Sequence, residues 1–215
     1  MIPIAIRPLQ RNELCAAALL LSRAMCDNPI DVYAFGGEAP LRRRSLKRFY
    51  APVLQGLYRR GQILGAFRDT EMVGVCGVAP PGHCQATLLE KARIFPAVVI
   101  GNQARTVVRV LRWAGEWSRR DLSQAHWHLG PVAVEPALQG QGIGHALMAE
   151  FCSKMDNYAA RSYLETDKNE NVEFYRRFGF TIVAEGQVST VRNWFMSRPA
   201  PGAPSRWVGK PLQEA

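Results

Sequence analysis

The chain has 215 residues, 47% hydrophobic and 21% charged, and carries a net charge of +9. That length supports one substantial core and the composition is that of an ordinary globular protein. No apolar run reaches bilayer length, and the opening MIPIAIRPLQ lacks a basic segment followed by a long apolar one, so neither a membrane span nor a signal peptide is expected.

In chain order, Ile2, Ile4 and Ile6 alternate in a first strand that ends at Pro8. Asn12 is placed to cap a helix in which Leu14, Ala17, Ala18, Leu21, Ala24 and Met25 recur at helical spacing. NPIDVYAFGGEAP is predicted as a loop, and Leu41 to Arg60 as a second amphipathic helix. GQILGAFRDTEMVGVCGVAPP reads as two strands joined at Asp69–Thr70–Glu71, a hairpin with a short polar turn. His83 to about Gln103 shows no clear period, whereas Thr106 to Arg120 sets Val107, Val110, Leu111, Ala114 and Trp117 on one helical face.

HWHLGPVAV is a further strand, followed by glycines at alternate positions and a helix from Ile143 to about Met155. SYLET is a short strand and NVEFYRRFGF a helix ended by Gly179, while TIVAEGQV and RNWFMSRP pair as closing strands. The fold class expected is α/β, one domain over residues 1–198 with a Pro/Gly-rich tail over 199–215, loose or draped on the surface.

Five cysteines, odd in number and without CxxC spacing, argue against a disulfide framework or a zinc site and for a reducing, cytoplasmic setting. His126 and His128 share a strand face, but without an adjoining carboxylate or cysteine in the sequence no metal is assigned to them. The basic residues of LRRRSLKRFY read as a solvated helix face. With Arg59–Arg60 and Arg105, Arg109, Arg112, Arg119 and Arg120, the basic residues are spread over several segments with no recognised binding motif, so nucleic acid is not the expected partner.

The glycines at 140, 142 and 144 fit one phosphate-holding template of three. A Walker loop requires Lys and then Ser or Thr after its last glycine, where His145 stands, and a dinucleotide fingerprint requires glycine at position 145. Q/R-x-x-G-x-G/A between strand and helix is met by Gln139, Gly142 and Gly144. Backbone N–H groups at such a helix start converge on a pyrophosphate, which side chains would hold away.

This segment resembles the acetyl-coenzyme A loop of the GNAT superfamily of N-acetyltransferases. LETDKNENVEFYRRFGF resembles the superfamily's second signature, an asparagine (Asn171) before a tyrosine (Tyr175) on a helix ending in Gly179–Phe180. Together with CDNPIDVYAFGGEAPLRRRSLKRFY and RNWFMSRP, these motifs are similar to the puromycin N-acetyltransferase branch over Ile4 to Pro199. QATLLEKARIFPAVVIGNQ departs from that pattern, and with it goes the guide to acceptor specificity.

The resemblance implies a GNAT acyl-CoA N-acyltransferase fold, a mixed, mostly antiparallel sheet splayed at its central parallel strands and flanked by helices. The strand Leu129–Val134 would part from Tyr163–Thr166, with Pro131 suited to a bulge at that point. It implies transfer of an acetyl group from acetyl-CoA to a primary amine of a small molecule, an aminonucleoside or another drug-like amine, with coenzyme A as co-product. The cofactor would lie along Val132, Ala133 and Val134 and in the turn Gln139, Gly140, Gln141, Gly142, Ile143 and Gly144. Tyr175 would protonate the leaving thiolate, a phenol near ~10 being a usable donor to a sulfur near ~8.5.

Glu165, with Glu135 or a water chain as alternatives, would take the amine's proton. Asn171 would hold the cofactor arm or cap its own helix. The loop Asn28–Gly37, with Asp27, Asp31, Tyr33 and Phe35, would attract and cover a cationic, partly aromatic acceptor. A catalytically silent acyl-CoA sensor, or a transferase acting on a peptide amino group, keeps the same glycine turn. The chain is expected as a monomer or homodimer.

Overall fold

The structure, a computed structural model, describes residues 3–203. Seven strands form one sheet: β1 (Ile4–Pro8), β2 (Gln62–Arg68), β3 (Glu71–Ala79), β4 (Trp127–Val134), β5 (Ser162–Thr166), β6 (Thr181–Val188) and β7 (Val191–Arg198), in the order β1-β2-β3-β4-β5-β7-β6. Every pairing is antiparallel except β4 with β5, which is parallel. Seven α-helices cover it: α1 (Leu14–Ala24), α2 (Pro29–Phe35), α3 (Ala39–Arg60), α4 (Leu88–Val99), α5 (Ala104–Arg119), α6 (Ile143–Asn157) and α7 (Asn169–Arg176).

Alternation along the strands divides the interior into two layers. Ile63, Val75 and Ala133 face α1, α2, α3 and α5. Leu64, Cys76, Leu129 and Leu164 face α6 and α7, where Leu147, Met148 and Phe151 are fully enclosed. Each buried Leu, Ile, Val, Met or Phe side chain among them contributes about 1.5–3 kcal/mol.

Strands β4 and β5 touch at two positions, Trp127 with Ser162 and His128 with Tyr163, and then separate. On its other side β4 shifts register against β3 between Cys76 and Val78, opposite Gly130–Pro131, where the bulge was expected. The remainder of β4, up to Val134, therefore presents an edge unpaired by β5.

Four local expectations need correction. Asn12 does not cap α1; it lies in a 3-10 turn, Arg11–Glu13, closed by a reciprocal Gln10–Glu13 capping box. The segment predicted as a loop holds α2, begun by Pro29 in its first turn and ended at Gly36, whose φ is 58°. The segment without a clear period holds α4, opened by a Thr87–Glu90 capping box. Within the basic run, Arg42 is buried and donates to the carbonyls of Cys26, Gly36 and Gly37, so it braces both ends of α2 instead of joining a solvated face. The tail from residue 204 onward lies outside the described residues.

Candidate active site

The turn between β4 and α6 takes its shape from two left-handed glycines. Gly140 has φ 77° and Gly142, the N-cap of α6, φ 84° and ψ −4°, conformations that cost other residues about 1–2 kcal/mol. A Cβ at either would meet no atom of the chain within 4 Å, so backbone conformation, together with the open space in front, accounts for both. Gly144 is different: a Cβ there would make ordinary contacts with Phe174 at 3.5 Å and Val134 at 3.7 Å. Ala146 N–H donates to Gly142 O at 3.0 Å, while the main-chain N–H groups from Gly140 to His145 donate to no acceptor among the described residues. A row of free donors at a helix start is an anion site.

These donors open into a cavity of about 660 Å³. Val132, Ala133, Val134, Gln139, Ile143 and Gly144 line one side and Asn171, Phe174 and Tyr175 the other, with Met25 and Asn28 at the end of α1. Gln139 Nε2 donates to Val134 O at 3.2 Å and ties the turn back to the strand. Gln141 points its amide oxygen to Arg68 at 3.0 Å, outside the cavity. The turn and the free edge of β4 border the same cavity and present mostly main chain to it.

Tyr175 is 8% exposed, wedged against Phe174 and Phe180, and its hydroxyl makes no hydrogen bond among the described residues. Burial, reinforced by the Asp167 carboxyl group nearby, pushes its phenol well above the ordinary value, so it holds its proton across the neutral range. Asn171 stands inside α7, whose N-cap is Lys168, so the capping alternative is set aside; its Nδ2 donates to Thr166 Oγ1 at 3.1 Å.

A second cavity, of about 800 Å³, lies over the other layer between α3, α4 and α5. Its walls include Phe49, Phe95, Val110, Leu111, Trp113 and Trp117, and its sheet side is His128 and Glu165. Trp113 packs edge-on against Trp117 with centroids 5.2 Å apart, and its Nε1 is buried without a partner. The Arg60–Glu90 pair, at 2.8 Å, closes one end. His128 Nε2 lies 2.9 Å from Glu165 Oε2, whose side chain is 2% exposed. Burial opposes a charge on His128, but the Glu165 carboxylate outweighs it and raises the imidazole above its usual range. His128 is on the last rung that β4 shares with β5, so this cavity reaches the sheet where the strands part.

Residues 59–182 match the acetyltransferase (GNAT) domain family. The chain belongs to that family. The GNAT fold is shared with solved structures of low identity. The Corynebacterium glutamicum histone acetyltransferase HPA2 and related acetyltransferase is 18% identical, with a TM-score of 0.70 over 92% of this chain and 96% of that one. The polyamine N-acetyltransferase of Drosophila melanogaster is 13% identical at TM-score 0.62, over 92% and 100%. The PaiA N-acetyltransferase of Thermoplasma acidophilum, solved with coenzyme A, is 12% identical at TM-score 0.55, over 92% and 99%. Acetyl-CoA is the acyl donor of the GNAT family, and the free N–H row of this chain suits its diphosphate. Among the described residues no helix is long and apolar enough to cross a membrane.

Against this GNAT frame, the strand, turn, Asn171 and Tyr175 positions read from the sequence come together around one cavity, with Gln141 turned away. Glu165 faces the other cavity. Glu135 is held by Arg23 through a two-pronged contact, the shortest leg 2.6 Å, and is committed to that ion pair.

Of the three residues expected to cover an acceptor, Asp31 and Phe35 are buried and Tyr33 is half-buried. Asp31 is 1% exposed, with burial and then Asp167 pushing its carboxyl well above the usual range. The Tyr33 ring lies under Arg109 at 5.2 Å and Phe35 against Phe49 at 5.5 Å. None of the three lines either large cavity. Asp27 is exposed and pairs with Arg42 at 3.2 Å. Sequence reasoning missed the aromatic wall of Phe49 and Trp113, which are 64 positions apart along the chain, and whose only local signal was the apolar face of α5.

Proposed function

We propose that this chain is an acetyl-CoA-dependent N-acetyltransferase of a small primary amine, and that the amine enters through the apolar cavity between α3, α4 and α5. One observation carries the reading. The turn residues Gly140, Gly142, Ile143, Gly144 and His145, whose N–H groups are free, line the same cavity as Tyr175, and that cavity borders the free edge of β4. Acetyl-CoA supplies the thioester; the chain supplies the rest. The amides between Gly140 and Gly144 grip the diphosphate, and the edge from Val132 to Val134 carries the pantetheine arm and offers an N–H toward the thioester carbonyl. Asn171 retains an amide oxygen for the arm beside its bond to Thr166.

Glu165, oriented by His128, takes the proton from the incoming ammonium, and the freed amine attacks the acetyl carbon. Tyr175, kept protonated by burial, gives its proton to the sulfur as the carbon–sulfur bond breaks, and the surplus proton on the acylated nitrogen returns to the Tyr175 oxygen as the amide forms. An acceptor with an aromatic or aliphatic body and one amino group fits walls of Phe49, Leu111 and Trp113 around a carboxylate floor. This agrees with the puromycin-branch resemblance, whose motifs lie in the stretches quoted above, and keeps an aminonucleoside or similar drug-like amine as the acceptor class.

Calorimetry with acetyl-CoA, followed by an amine panel read by release of free thiol, tests the proposal. Binding of acetyl-CoA with thiol release on an aromatic amine is the expected result. Binding without release on any amine would favour a silent acyl-CoA sensor. No binding at all would remove the reading.

A further inference from the structure

Four ligand-type side chains from separate parts of the chain converge beside the apolar cavity. Cys84 comes from the segment after β3, Asp121 from the segment after α5, His126 from just before β4, and His128 from β4 itself. One ligand atom from each lies within 4.8 Å of every other. The fold thus provides the cysteine and the carboxylate that the two histidines lack along the sequence.

The hydrogen bonding around the cluster leaves one nitrogen free on each histidine. His126 is 5% exposed; its Nδ1 is 2.8 Å from Gln124 O, which holds a proton there, so that Nε2 becomes the lone-pair donor when a metal ion displaces its proton. That Nε2 lies 2.9 Å from Asp121 Oδ1, yet off the line a hydrogen bond requires, so it is buried without a hydrogen-bond partner. His128 has Glu165 at its Nε2 and a buried Nδ1 with no partner. A backbone carbonyl behind one imidazole and a carboxylate behind the other is the arrangement that holds metal-ligating histidines in place. Asp121 is anchored too, its Oδ2 accepting from Gln85 Nε2 at 2.8 Å and its Oδ1 from Leu122 N at 3.1 Å.

We infer that Cys84, Asp121, His126 and His128 form a four-ligand site for a divalent cation of the zinc class. One thiolate, two imidazoles and one carboxylate are the donor types that zinc takes in a closed tetrahedral site, and such a set fills all four positions. Tetrahedral bonds of about 2.0–2.3 Å place ligand atoms about 3.3–3.8 Å apart. The cluster needs to close by about 1 Å at its widest, within reach of side-chain rotation. The ion's role is structural: it ties the segment after β3 and the end of α5 to β4, where the apolar cavity meets the sheet. Metal occupancy is read without any acyl transfer, so its failure and the failure of the proposed reaction are separate results.

The test uses the full chain, freed of any affinity tag and stripped with chelator, then titrated with cobalt(II). The expected result is saturation at one equivalent, with the visible bands of tetrahedral cobalt and a thiolate-to-metal charge-transfer band in the near ultraviolet, all abolished by added zinc. Cys84→Ser should lose the charge-transfer band, while Cys15→Ser, a change at an exposed cysteine, keeps it. Competition against a chromophoric chelator should show zinc affinity loosened about 10–100-fold in Glu165→Gln, through the support it removes from His128. Should Cys84→Ser not fold, Asp121→Asn read by the same competition takes its place. Absence of tetrahedral bands in the unaltered protein, or bands unchanged by Cys84→Ser, overturns the inference; the cluster is then a pair of proton-linked His–carboxylate contacts.

Discussion

The two cavities that border β4, one at His128 and the other from Val132 to Val134, are built from different parts of the polypeptide. The one toward α6 and α7 presents main chain: the free amides of Gly140 to His145 and the edge of β4. The one toward α3, α4 and α5 presents side chains, with Phe49, Leu111 and Trp113 over a floor of His128 and Glu165. A main-chain surface is set by backbone geometry and suits a ligand that every member of a family shares. A side-chain surface changes with each substitution and suits a ligand that differs from one member to the next.

The sharpest challenge to this division is at the chemistry. Tyr175→Phe should lower turnover by about 10²–10⁴-fold, the range for a positioned general acid, while acetyl-CoA affinity changes less than about twofold. Steady-state kinetics beside calorimetry separates the two, and unchanged turnover removes Tyr175 from the reaction. Next is Gly142→Ala. Forcing an alanine to φ 84° costs about 1–2 kcal/mol, so acetyl-CoA binding should weaken about tenfold, with acceptor KM left alone.

Leu111→Ser should do the reverse. Leu111 is 60% exposed, so folding tolerates the change, and acceptor KM should rise by about threefold to tenfold as apolar contact is lost, with acetyl-CoA affinity intact. If both substitutions move both ligands, the division between main-chain and side-chain recognition fails.

The smallest effect is on stability against pH, measured with chelator present. Burial opposes a charge on His126, but Asp121, Cys84 and the Gln124 carbonyl outweigh it and raise its pKa to about 10 from the ordinary 6.5. A raised imidazole contributes stability that is fully present below the unfolded value and is lost as pH rises through the folded one. The melting temperature should therefore fall between about pH 6.5 and pH 10, and fall less in His126→Gln. His128, raised by Glu165 against its own burial, acts in the same direction.

The same contrast explains what the sequence disclosed. The glycine turn, Asn171 and Tyr175 were legible because each belongs to a short contiguous pattern whose spacing is itself the geometry. The turn's glycines prove to be required by conformation at 140 and 142 more than by any contact at 144. Helix α4 was hidden because its burial inverts the usual pattern: Leu88, Leu89 and Phe95 are all more than half exposed, while Glu90 is buried. Helix α2 was hidden by its shortness and by flanking residues that also mark loops. For the cluster of Cys84, Asp121, His126 and His128, only the pair of histidines was visible, because its cysteine stands 42 positions before His126 in the chain. Asp31 looked like an anion set out for a cation, and nothing local signals that Arg42 and the packing of α2 would enclose it.

Strands β4 and β5 share two rungs, so the hydrogen-bonded framework narrows there to a waist. Severing the chain at the bend around Ala159 would yield one fragment ending after α6 and another holding β5, α7, β6 and β7. With so few main-chain links to restore, reunion of such fragments would be directed by the apolar seats of Val172 and Phe180 against the α6 layer.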